Sequence, residues 1–152
     1  MKPTKVTTSA QETQETKQSN EEKKQEPEFN KEELLAIFDE LLFSGEYVED
    51  IVIKGKLKVS FKSRSVEDVT KISKEIDSGQ YNLMITMSDN RALLNLAYSL
   101  VSYNGKTLPE EAEDRKKFIN KLPSAVVALL SDHLTKFDTK INEALKEGDE
   151  NF

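Results

Sequence analysis

A sharp change in composition near residue 28 limits how much of this 152-residue chain can fold. The first 28 residues are mostly Thr, Gln, Glu, Lys, Ser and Asn, and Val6 is their only large aliphatic residue after Met1. Such a segment cannot bury enough apolar surface to offset its loss of conformational entropy on folding. The sequence therefore predicts a disordered tail over residues 1–28, a single domain over 29–148 with one modest core, and a polar C-terminal end over 149–152.

The charge and the absence of cysteine exclude several classes of function. The formal net charge is −6 at pH 7, which argues against a broad basic face for duplex nucleic acid. Without Cys, the chain has no disulfide, no thiolate zinc site and no Cys nucleophile. Met1–Ala10 has no apolar run, and no later stretch approaches the ~20 apolar residues of a membrane span. We therefore expect a cytoplasmic protein with no signal peptide and no membrane partner.

Two capping patterns predict the first two helices. Asn30 with Glu33, and Ser65 with Asp68, have the spacing of capping boxes, in which two side chains satisfy free N–H groups at a helix start. Apolar residues recur at helical spacing after each pair. Gly45 is expected to end the first helix.

A third, strongly apolar helix is predicted to start at Ser88 or Asp89 and to end at Asn104-Gly105. Because its apolar residues cover more than one face, we expect it to be the central and most buried helix.

Two further helices are predicted toward the C-terminus. Thr107, Pro109 and Glu110 have the pattern of a capping box with Pro at the first helical position. Pro123 is expected to begin the last and longest helix, which runs to Gly148. The residues expected to pack together in the core are Leu96, Leu100, Leu130, Leu134 and Phe137.

The segment Tyr47–Phe61 alternates apolar and polar residues on either side of Lys54-Gly55-Lys56. This pattern predicts a β-hairpin over about residues 47–62. The expected inward residues are Ile51, Ile53, Leu57, Val59 and Phe61. The predicted fold class is therefore α+β, mainly α: a small helical domain with one β-hairpin and a disordered N-terminal tail.

The hairpin carries the one basic cluster in the chain: Lys54, Lys56, Lys58, Lys62 and Arg64. We expect these side chains on the exposed side of the hairpin or in its turn. Two interpretations stay open, since the cluster suits contact with an acidic protein surface or a phosphate backbone, and lysines also protect edge strands from aggregation.

The first predicted helix, Asn30–Phe43, is a second candidate for partner binding. Its apolar face includes Leu34, Ile37, Phe38 and Leu41. Such a face normally packs on its own domain, but it can also dock into a groove of a partner protein.

The sequence predicts no catalytic site, no metal site and no cofactor. The single histidine, His133, is adjacent in sequence to Asp132, and adjacent residues of a helix do not face each other. The five glycines fall at expected turns or helix ends, so no Gly-rich phosphate loop is present. No spacing reproduces an EF-hand calcium loop. We therefore expect a protein that is not an enzyme.

Three features follow one another from Asp50 to Phe152: a hairpin with Lys58-Val59-Ser60-Phe61 leading into a helix, the block Leu96–Gly105, and a final helix ending in Glu150-Asn151-Phe152. In this order the segment, about two-thirds of the chain, resembles small tailed-phage proteins of the tail-assembly-chaperone and baseplate-assembly kind.

The resemblance implies a non-enzymatic protein that organises tail or baseplate proteins during virion assembly. It would act in the host cytoplasm as a transient chaperone, or stay in the virion as a permanent structural component. A nucleic-acid-associated regulator that uses the hairpin lysines is a weaker alternative, because the acidic charge elsewhere opposes it.

Overall fold

The computed structural model describes residues 29–78 and 87–150. These residues form five helices and one four-stranded antiparallel sheet. The fold is α+β and mainly α, as predicted, while the tail predicted over 1–28 and residues 151–152 lie outside the described residues. In chain order the elements are α1 (Lys31–Ser44), β1 (Val48–Ile53), β2 (Leu57–Lys62), α2 (Val66–Asp77), α3 (Met87–Ser99), β3 (Leu100–Tyr103), β4 (Lys106–Thr107), α4 (Ala112–Asn120) and α5 (Ser124–Glu150).

The predicted hairpin is formed by β1 and β2, with Ile53 opposite Leu57 at its end. Lys54 and Gly55 both have positive φ, 53° and 67°, and Lys56 N donates to Ile53 O at 3.0 Å. Two central residues with positive φ form a type I′ turn, whose twist matches that of the two strands.

A second hairpin replaces the end of the predicted third helix. Helix α3 stops at Ser99, and the chain continues directly into β3, which pairs with β2 and β4. Asn104 and Gly105 have positive φ, 54° and 79°, as the Asn-Gly pair of a two-residue hairpin turn requires. The prediction of a helix end at Asn104-Gly105 is wrong, because these residues turn one strand into the next.

One of the predicted capping boxes is present at a helix start, and another is not. At α2 the capping box is confirmed, since Asp68 N donates to Ser65 Oγ at 3.1 Å and Ser65 N donates to Asp68 Oδ2 at 3.0 Å. The capping box predicted at Thr107 is wrong, because Thr107 belongs to β4 and α4 begins at Ala112.

The buried Arg115 explains why the segment before α4 is not helical. Its guanidinium donates to the carbonyl oxygens of Ala97, Pro109 and Glu110 at 2.6, 3.0 and 2.7 Å. Two of these carbonyls lie in the segment that the sequence assigned to the helix. The arginine therefore satisfies them without a helical turn, and it also ties this segment to α3.

One face of the sheet forms the main core with α3, α4 and α5. The predicted packing of one set of residues is confirmed, although Leu100 belongs to β3 and not to the third helix: Leu96, Leu100, Leu130, Leu134 and Phe137. The Phe61 and Phe137 ring centroids lie 5.8 Å apart. A smaller cluster of Ile72, Ile76, Leu94 and Tyr98 joins α2 to α3. The buried residues of the main core are Ile53, Val59, Phe61, Leu96, Ala97, Leu100, Ile119, Leu130, Leu134 and Phe137.

Helix α1 packs along α5. Gly148 lies inside α5, and a Cβ atom built there would be 2.3 Å from the Phe38 ring. The prediction that Gly148 ends the last helix is wrong, because this glycine allows α1 to approach α5 closely and the helix continues to Glu150.

Candidate functional site

The structure places the apolar residues predicted for partner binding on α1 mostly inside the protein. Leu34 and Ile37 are buried, and Phe38 and Leu41 are half-buried. The prediction is corrected for Leu34 and Ile37, because the packing of α1 on α5 covers the face they share. Leu42 and Phe43, at the end of α1, are exposed instead.

The structure divides the hairpin lysines between two places. Lys54 and Lys56 are exposed in the turn, whereas Lys58 and Lys62 extend from β2. Lys62 Nζ lies 3.9 Å from Glu46 Oε1. Because the strand order is β1-β2-β3-β4, β2 is an internal strand, and the interpretation that Lys58 and Lys62 protect a sheet edge is wrong.

Arg64 also differs from its predicted exposed position. Its Nη2 donates to Asp138 Oδ2 at 2.6 Å, and its Nη1 donates to Ser99 Oγ. Only 15% of the side chain is exposed. Arg64 therefore links the end of β2 to α3 and α5, because its guanidinium satisfies the buried Ser99 hydroxyl, and it does not belong to the basic surface.

The outer face of the sheet, opposite the main core, carries a row of hydrogen-bonded polar side chains. The register aligns Asp50, Ser60, Ser102 and Thr107, one from each strand. Ser102 Oγ donates to Ser60 Oγ at 2.7 Å, and Ser60 Oγ donates to Asp50 Oδ1 at 2.5 Å. Both hydroxyl protons point along the row toward β1, so the carboxylate of Asp50 is held at the end of an ordered chain of donors.

Exposed valines flank this row on β1. Val48 and Val52 lie two residues before and after Asp50, and they are 47% and 54% exposed. Lys62 is opposite Val48, and Lys58 is opposite Val52. A groove of about 610 Å³ follows the outer face and is lined by residues of all four strands. The outer face thus presents apolar, acidic and basic groups together.

Strand β1 is anchored from the other side of the sheet. Lys140 Nζ, on α5, lies 2.5 Å from Glu33 Oε1 on α1 and 2.6 Å from Glu49 Oε1 on β1. Burial alone lowers the pKa of Lys140, but the bonds to the two glutamates outweigh it and raise that pKa. Tyr47 donates to Glu49 Oε1 at 2.8 Å, and burial followed by this carboxylate raises the pKa of Tyr47.

His133, on α5, is half-buried. Burial first, and the positive charge of Lys136 second, lower its pKa, while Asp132 acts in the opposite direction and Lys54 adds to the lowering. Burial and the two lysines together outweigh Asp132, so the folded protein favours the neutral ring.

Two classes of site are not found in residues 29–78 and 87–150. No group of three or more His, Asp or Glu side chains there has an arrangement that could hold a metal ion. None of the helices in this part of the chain has the length and apolar composition to cross a bilayer.

The sequence patterns did not predict the polar row on the outer face. Asp50 and Ser60 fall at outward positions of the predicted hairpin, so alternation alone could have placed these two side by side. Ser102 and Thr107 lay in segments predicted to be helical, and no sequence pattern aligned them with Ser60.

No protein-family model, curated protein sequence or solved structure matches this chain.

Proposed function

We propose that this chain is a non-enzymatic protein-binding domain that contacts its partner through the outer face of the sheet. The observation that carries the proposal is the pair of exposed valines, Val48 and Val52, on either side of the ordered Asp50 carboxylate. Apolar side chains supply contact area, and a fixed polar group supplies specificity. The anchoring of β1 through Glu49 and Lys140 holds this surface in place before the partner arrives.

We further propose that the partner is a tail or baseplate protein of a phage and that the chain assists virion assembly. This part of the proposal rests on the resemblance of the segment Asp50–Phe152 to assembly proteins of tailed phages. The hairpin that leads into a helix, which contributes to that resemblance, is formed by β1, β2 and α2. A transient chaperone and a permanent virion component differ in whether the chain stays in the finished particle.

Partner capture in infected cells tests the proposal. Tagged protein is recovered from cells infected with the phage, and its companions are identified by mass spectrometry in parallel with purified virions. We expect tail or baseplate proteins in the recovered material. Absence of the chain from virions favours the chaperone, and a fixed stoichiometry there favours the structural component.

A matched pair of variants locates the contact. Val48→Gln with Val52→Gln alters the outer face, and Val66→Gln with Val69→Gln makes the same change at two exposed valines of α2. We expect the first pair to lose the partner and the second to keep it. Nucleic acid recovered at high salt, with no structural protein enriched, would contradict the proposal, because purely phosphate-driven binding falls steeply with salt.

A further inference from the structure

We propose that the free edge of β1 binds an extended segment of the partner, and that this segment places a Lys or Arg beside Asp50 with an apolar residue two positions away on each side. The inference rests on the proposed function, since it specifies where the partner lies and which chemistry it presents.

The backbone of β1 offers hydrogen-bonding groups at this edge. Within residues 29–78 and 87–150, which the structure describes, β1 pairs with one strand only, β2, and so lies at an edge of the sheet. Ser63 N donates to Tyr47 O at 2.8 Å. Because backbone hydrogen-bonding groups alternate in direction along an antiparallel strand, those of the odd-numbered residues of β1 point to β2 and those of the even-numbered residues point away from it. The N–H and C=O groups of Val48, Asp50 and Val52 therefore point outward, as an added strand requires.

The side chains of the same three residues define what the added strand must carry. Val48, Asp50 and Val52 all lie on the outer face, so the partner residues paired with them lie on that face too. Ser60 holds Asp50 by one carboxylate oxygen, Oδ1. An added strand complements this surface if it places a cation beside the carboxylate and an apolar residue beside each valine.

A second copy of this chain is a poorer occupant of the edge. Two antiparallel copies of β1 centred on Asp50 oppose two aspartates, and copies centred on Glu49 oppose two glutamates. Like charges directly opposite each other destabilise a strand pair. A pairing centred on Ile51 sets each Asp50 against Val52 and supplies no cation, and each chain carries a net charge of −6.

Peptide binding to the full chain tests the inference. The probe is the capped peptide Thr-Val-Thr-Arg-Thr-Val-Thr, whose palindromic sequence gives the same pattern in both directions, and the control has Glu in place of Arg. We expect the Arg peptide to shift the NMR amide signals of Val48–Ile53 and to slow hydrogen exchange at Val48, Asp50 and Val52. The Glu peptide should bind about tenfold more weakly, because it places like charges side by side.

Two variants separate the charge from the backbone contribution. Asp50→Lys should reverse the preference, so that the Glu peptide binds more tightly than the Arg peptide. Val52→Pro removes an N–H that the sheet itself does not use and should weaken both peptides at least about tenfold, whereas Val52→Thr keeps the N–H and should retain binding. Amide spectra of each variant establish that the fold is kept.

Three results would overturn the inference. They are equal binding of the two peptides, shifts confined to other parts of the chain, and self-association through β1 in the absence of peptide. Partner capture then separates this inference from the proposed function. Equal recovery of tail proteins by wild type, Asp50→Lys and Val52→Pro would reject the edge contact alone, whereas no protein partner for wild type would reject the proposed function.

Discussion

Phe61 and Ser60 are neighbours on β2, yet they belong to opposite faces of the sheet with different surroundings. Phe61 is fully buried and packs near the Phe137 ring of α5. Ser60 points to the outer face, where it joins Asp50 and Ser102 in a hydrogen-bonded row. The same backbone ladder therefore supports a packed apolar layer on one side and an ordered polar surface on the other.

The difference shows how stability and recognition are divided in a small domain. Burial of apolar side chains against helices is the main stabilising term, and it is concentrated on the inner face. The outer face makes few such contacts, so its side chains can change with little effect on folding. We expect substitutions on the two faces to separate loss of stability from loss of binding.

The largest effect is expected from Phe61→Ala. Removing this ring leaves a cavity between the sheet and α5, which should lower the free energy of unfolding by about 3–5 kcal/mol. Val52→Ala, on the outer face of β1, should lower it by less than about 1 kcal/mol. Urea denaturation with linear extrapolation gives both values, and similar losses would contradict the division between the faces.

Lys140→Met tests the anchoring of β1 from the inner side. It removes the cation between Glu33 and Glu49, and we expect a loss of about 1.5–3 kcal/mol, typical of hydrogen bonds to charged groups. Because the pKa of Lys140 is raised in the folded protein, its contribution is complete below the unfolded value of about 10.4 and is lost as the pH rises through the folded value.

Denaturation of wild type and Lys140→Met at increasing alkaline pH checks this sign. The difference in stability between the two proteins should shrink as the lysine loses its proton. Tyr47 has the same direction of shift, so Tyr47→Phe provides the control for the tyrosine. A difference that stays constant with pH would show that Lys140 acts by packing and not by charge.

Ser60→Ala tests the polar row and should have a smaller effect. It removes the acceptor of the Ser102 hydroxyl and the donor to Asp50, with an expected loss of about 0.5–1.5 kcal/mol. Ser102→Ala removes only the first donor of the row and should cost less. Urea denaturation measures this loss, and partner capture is compared at temperatures where the variant stays folded. Weaker capture by Ser60→Ala shows that the row serves recognition, and unchanged capture would assign it to the fold alone.

The smallest effect concerns His133 of α5. Its pKa is lowered in the folded protein, so folding is favoured by the neutral ring above the unfolded pKa of about 6.5, and this contribution is lost as the pH falls through the folded pKa. Lys136→Gln should raise the pKa more than Lys54→Gln, since Lys136 is the stronger cause. NMR titration of the imidazole measures both shifts, and the opposite order would show that Lys54 acts on the imidazole more strongly than Lys136 does.

Much of the fold could be predicted because local patterns and the tertiary structure agree there. The alternation around Lys54-Gly55-Lys56 specified the first hairpin, and Ser65 with Asp68 specified the start of α2. Where a local pattern serves two structures, prediction failed. Asn104-Gly105 suits both a helix end and a hairpin turn, and the pairing of β3 with β2 and β4 distinguishes them.

The sequence by itself determined which apolar side chains of the first hairpin share one face, because the period of a strand is a property of the local backbone. Only the tertiary structure decided that β2 is internal and β1 is an edge, that Gly148 receives the Phe38 ring, and that Asp50 and Ser102 belong to one row. These relations join residues far apart in the chain. Their energies depend on which elements meet, which no local pattern specifies.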